Sequence, residues 1–90
     1  MRIIWRRRAL SDLYNMVVVA SRDSPSGAVR MYEQIEHMVS FLADWPKLGR
    51  QGRRRNVREL VIPQTPYVVL YKRKGAAIYV LRVMHGRQKR

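Results

Sequence analysis

The chain has 90 residues, enough for one domain, and at that length folding buries only a little over about 60% of the unfolded surface. Hydrophobic residues make up 47% and charged residues 28%, which supplies material for a core and excludes global disorder. Nineteen Lys plus Arg, 15 of them arginine, stand against six Asp plus Glu, so the chain is a polycation of formal charge +13 whose field attracts a phosphate backbone, an acidic protein surface or an anionic membrane.

"RIIW" at Arg2 to Trp5 is short and β-branched and predicts a first strand. Ala9, Leu10, Leu13, Met16, Val17 and Ala20 then recur at three- and four-residue steps, the stripe of an amphipathic helix of roughly four turns. "SRDSPSGA" breaks that period, and Ser24 before Pro25 reads as the N-cap of a second helix with proline at its first position. Its stripe is Val29, Tyr32, Ile35, Val39 and Leu42, and Pro46 stops it near Trp45. Met16, Met31 and Met38 are expected to line the helical hairpin, and Trp5, Trp45 and Tyr32 to pack in the core rather than stack on bases. "KLGRQGRRRN" reads as a basic loop leading to a sheet.

From Val57 onward β-branched and aromatic residues dominate, divided by "PQTP" and "KRKGA" into strands at about 57–62, 66–73 and 76–84. Both breaks are short, so the three strands form an antiparallel meander. The order β-α-α-β-β-β predicts an α+β fold, one two-layer domain over residues 1–90 with a helical hairpin on one face of a mainly antiparallel sheet. Alternation puts Ile78, Val80, Arg82 and Met84 on one face, and Arg58 on a face with Leu60 and Ile62. Glu59 points the other way and is expected to pair with a basic residue of a neighbouring strand, fixing register.

No cysteine is present, so disulfide and thiolate chemistry are excluded, compatible with a reducing cytoplasm. His37 and His85 have no partners at ligand spacing, so neither a metal nor a cofactor is expected. The longest apolar run, Met16 to Ala20, is far below a membrane span, and Asp12 and Asn15 interrupt anything like a signal-peptide core; a soluble, unexported protein without a membrane partner is expected.

The stretch "GRQGRRRNVRELVIPQTPYVVLYKRKGAAIYVLRVMHGRQ", residues 49–88, resembles the RelE/ParE toxins of bacterial toxin–antitoxin modules. Its ParE-like features are Gly49-Arg50, the triplet Arg58-Glu59-Leu60, Pro66-Tyr67 and the closing His85-Gly86-Arg87. The N-terminal half matches in layout, with Trp5 and "ALSDL" ahead of a first helix and "LADWPKLGR" ending the second. The resemblance implies a cytoplasmic bacterial toxin encoded on a plasmid or chromosome, neutralised by an acidic, ParD-like antitoxin that wraps it with a helix and an acidic tail. A polycation suits such a partner.

The resemblance leaves two mechanisms on one fold: cleavage of messenger RNA in the ribosome, or inhibition of DNA gyrase. The ribonucleases use strand lysines and an arginine beside a tyrosine, and those positions fall here near Glu59 and Val61 and at Val68. None matches the lysine and arginine groups of that pattern, so gyrase inhibition is the favoured expectation, with no cofactor. Target contact is expected from Arg58, Arg82, His85 and Arg87, assisted by Arg53, Arg54 and Arg55. As a ribonuclease the chain would instead rely on His85, Arg82 and Arg87. The plainer readings stand beside these: His85 as a solvated strand-end histidine, Arg53 to Arg55 as a solvated loop, and the whole chain as a basic nucleic-acid binder without toxicity.

Overall fold

A computed structural model describes residues 1–87. Strand β1 spans Arg2–Trp5, helix α1 Arg7–Asp23 and helix α2 Pro25–Ser40, followed by a 3-10 turn over Phe41–Ala43. Strands β2 (Arg50–Gln51), β3 (Arg58–Val61), β4 (Tyr67–Lys74) and β5 (Ala77–His85) complete one sheet in the order β1-β5-β4-β3-β2. The last three strands form the expected antiparallel meander, and β1 lies parallel against β5.

One residue makes the tight reversal between the helices. The Ser24 N–H donates to the Ala20 carbonyl, closing α1, while its hydroxyl accepts the Gly27 N–H at 3.0 Å, opening α2. Pro25 lacks the N–H to continue α1 but suits the first position of α2. The helices pack on one sheet face, where Ala9, Leu13, Ile35, Val39 and Leu42 meet Leu60, Ile62, Val69, Tyr71, Ile78, Val80 and Val83. Met16, Met31 and Met38 pack against this cluster, as expected.

The apolar stripes rotate from their sequence expectation. Val29 and Tyr32 are exposed, and α2 instead buries Ala28, Ile35 and Val39 with Met31 and Met38 beside them. Two helical stripes share Ile35, Val39 and Leu42 and diverge over the first turns; small Ala28, 2% exposed, lets the helix start approach closely and decides between them. Leu10 is exposed on α1, and Trp45 is exposed rather than packed in the core.

Two further differences lie in the sheet. Arg50–Gln51, expected within a loop, pairs with β3 as a short charged edge strand that hydrophobic period could not reveal. In β5 the register slips at Leu81, so that Tyr71 faces Val80 while Leu70 faces Arg82. This bulge corrects the alternation: Val83, not Arg82, continues the buried row of Ile78 and Val80.

Candidate functional site

The motif fragments separated in sequence meet in space. Register sets Arg50 opposite Glu59, and Arg50 Nε donates to Glu59 Oε1 at 3.2 Å. Arg58 Nη1 donates to the Gly49 carbonyl at 2.8 Å. Gly49-Arg50 and Arg58-Glu59 therefore interlock, with Glu59 8% exposed and held structurally, as expected. The Tyr71 hydroxyl accepts the Gly49 N–H and donates to the Pro46 carbonyl, both at 2.8 Å. Burial raises the pKa of this hydroxyl above its usual value, against the opposing effects of the Gly49 N–H and the Arg58 charge.

The basic run folds into the turn between β2 and β3. Gly52 N–H donates to the Val57 carbonyl and Val57 N–H to the Arg54 carbonyl, while the Gln51 amide reaches both carbonyls. Asn56 takes the left-handed conformation at φ 65°, which asparagine tolerates better than most residues. A hydrogen-bonded hairpin thus holds Arg53, Arg54 and Arg55.

Between this hairpin, the end of β4 and Pro46-Lys47 lies a groove of about 530 Å³. Its cations are Lys47, Arg54, Arg55, Arg58 and the run Lys72 to Lys74, with no carboxylate in its lining. Arg53 is outside that lining. Sequence reasoning missed Lys47 and Lys72 to Lys74; the same-side spacing of Lys72 and Lys74 along a strand was the available signal.

The other expected contacts do not converge on this groove. Arg82 grips Asp12 of α1 through Nε at 2.7 Å and Nη2 at 3.1 Å. Asp12 Oδ2 also accepts the Val83 N–H at 3.0 Å, satisfying the edge of β5 beyond the end of β1. His85 stands opposite Tyr67 and meets its ring edge-on, with centroids 6.1 Å apart, and His85 Nδ1 accepts the Arg87 N–H. The Gly86 N–H donates to the Pro66 carbonyl at 2.8 Å, so Pro66-Tyr67 and His85-Gly86-Arg87 interlock in turn. Along β4, Tyr67 is four residues from Tyr71, the partner of Arg58, placing His85 about 13 Å from the Arg58 row.

At the positions where proton-transfer and phosphate-binding groups were expected for RNA cleavage, Glu59 is buried in its ion pair, Val61 is exposed and Val68 is buried. Among the described residues no three His, Cys, Asp or Glu side chains form a metal-binding group. No helix among them is long and apolar enough to cross a membrane.

A family model described as the ParE toxin of type II toxin–antitoxin systems, parDE, matches residues 3–90. The protein Y4kP of Sinorhizobium fredii is 38% identical over 87 residues, covering 97% of this chain and 90% of that one. Toxin RelE1 of Caulobacter vibrioides is 31% identical over 85 residues, covering 92% of this chain and 90% of that one. A chain in the solved chromosomal ParDE TA system from P. aeruginosa superposes with a TM-score of 0.86 at 25% identity, covering 94% of this chain and 95% of that chain. With the two-helix, five-strand architecture in place and the match running almost from end to end, the chain belongs to the ParE toxin family of type II toxin–antitoxin systems.

Proposed function

We propose that this toxin arrests bacterial growth by inhibiting DNA gyrase through protein contact in the cytoplasm, and that an acidic, ParD-like antitoxin neutralises it. One observation carries the choice of target. The strand positions that would serve RNA cleavage hold Glu59, tied to Arg50, and the aliphatic Val61 and Val68. A carboxylate fixed in an ion pair and two hydrocarbon side chains provide neither a mobile proton nor positive charge for a phosphorane. Target contact is assigned to Arg58, His85 and Arg87, with Arg53 to Arg55 assisting; Arg82 joins them with its guanidinium already on Asp12.

The antitoxin reading draws on the solved ParDE relative and on the helical hairpin. Leu10, Tyr14, Val29 and Tyr32 are exposed on α1 and α2, apolar surface that a partner helix would cover. The chain's positive charge suits an acidic partner.

The test is a supercoiling assay with purified gyrase run beside a ribosome-dependent messenger cleavage assay on the same toxin. Lost supercoiling or trapped DNA cleavage with intact messenger is expected. Cut messenger with unaffected gyrase would overturn the reading and make His85 the first residue to replace. Relief of growth arrest by the acidic antitoxin tests the second half independently.

A further inference from the structure

We propose that the groove between the β2–β3 hairpin and the end of β4 binds the phosphodiester backbone of duplex DNA. Seven cations line it, Lys47, Arg54, Arg55, Arg58 and the run Lys72 to Lys74, without a carboxylate among them. Two of the chain's six acidic residues, Asp12 and Glu59, are engaged by Arg82 and Arg50 outside that lining. The larger depression between α2 and the β3–β4 turn is different in kind, mixing Arg30 with Glu33 and His37. Positive charge is concentrated in this groove, rather than merely abundant over the chain.

The cations are also placed in advance. The hairpin carrying Arg54 and Arg55 is closed by backbone hydrogen bonds, and Arg58 is fixed on the Gly49 carbonyl. Lys72 and Lys74 share one side of β4 and lie about 6.8 Å apart along it. Along the axis of a duplex, two nucleotide steps of one strand rise by about the same distance. Guanidinium groups add bidentate geometry toward phosphate.

The lining chooses among polyanions. It contains no aromatic side chain, whereas single strands are held by bases stacked on aromatic rings. Its apolar members are Pro46, Val57 and Leu81, with Val57 only 7% exposed, so an acidic peptide finds no deep anchor there. A duplex needs neither, because its uniform phosphate charge is sufficient for attachment. The site is independent of the gyrase reading, since DNA alone is the probe.

The experiment is fluorescence anisotropy of a labelled mixed-sequence duplex titrated with the full chain across a chloride series. The logarithm of affinity is expected to fall against that of salt with a slope near about −6 if all seven cations engage. The triple variant Arg54→Ala, Lys72→Ala, Lys74→Ala is expected to lower the slope's magnitude by about 3 and affinity at 0.1 M salt by roughly 100-fold. A control removing three exposed helix arginines, Arg7→Ala, Arg8→Ala and Arg22→Ala, is expected to change affinity less than about threefold. Circular dichroism keeps both variants comparable, and the milder Lys72→Gln, Lys74→Gln replaces the groove triple if that fails to fold, with the slope's magnitude then expected to fall by about 2. Equal losses from the two triples, or unaltered affinity in Lys72→Glu, would overturn the proposal. Tighter binding of a labelled single strand or polyglutamate than of the duplex would also overturn it, the latter assigning the groove to an acidic protein.

Discussion

Tyr71 has no exposed surface, yet its hydroxyl is satisfied twice, by the Gly49 N–H and the Pro46 carbonyl, tying β4 to the segment before β2. Tyr71→Phe leaves both backbone groups without that partner, and a loss of about 1–3 kcal/mol in chemical denaturation is expected. The same residue sets a response to alkali. Folding raises its pKa through burial, so the unfolded chain releases this proton first and stability falls as pH rises. The contribution is complete below about pH 10 and is lost as pH climbs through the folded-state value. Denaturation midpoints should therefore fall more steeply above that pH in the parent than in Tyr71→Phe; parallel curves would show that Tyr71 does not govern the alkaline limb. Gly49 has a related constraint, because a Cβ there would lie 2.7 Å from Tyr71 Cε1 and 2.8 Å from the Glu59 carbonyl oxygen. Gly49→Ala should cost more than about 2 kcal/mol, measured as a lowered denaturation midpoint at unchanged slope.

At the scale of elements, β5 depends on a helix for part of its edge. Strand β1 accompanies it only to Val80, and Asp12 of α1 then accepts the Val83 N–H while holding Arg82. Asp12→Ala removes three hydrogen bonds at a half-buried site and should cost about 2–4 kcal/mol. Asp12→Asn keeps one acceptor and should lose less; hydrogen exchange at Val83 should quicken in both, and unchanged exchange would show that α1 does not protect this edge. Arg82→Ala shares this structural cost, so lost toxicity in that variant needs a thermal melt beside it, whereas Arg87 is exposed and its replacement carries no such structural cost. The strands of the meander and the Ser24-Pro25 junction were legible because turn chemistry and β-branching are local signals. The bulge at Leu81 was not, since it depends on packing across two strands, and Asp12 and Arg82 lie 70 residues apart. The basic hairpin was legible as charge, but its joining with Lys72 to Lys74 follows from the fold.

Over the whole molecule, charge decides how stability answers to salt. Among the described residues, the ion pairs Arg50–Glu59 and Arg82–Asp12 would be weakened by screening, and partly exposed pairs of this kind contribute about 0–1 kcal/mol each. Against them stand 13 uncompensated positive charges, with seven cations lining one groove. Lys72 and Lys74, about 6.8 Å apart along their strand, lie within the Debye length of about 8 Å at physiological ionic strength, so their repulsion persists there and fades only toward about 1 M. Repulsion therefore outweighs the pairs, and sodium chloride should raise the melting temperature, by about 5 °C for each kcal/mol of repulsion removed in a chain of this size. Lys72→Gln with Lys74→Gln should start higher and gain less from salt, because two of the groove's seven positive charges are already gone. A melting temperature that is flat or falls with chloride, or an equal gain in the double variant, would place the controlling electrostatics in the two ion pairs rather than in the groove.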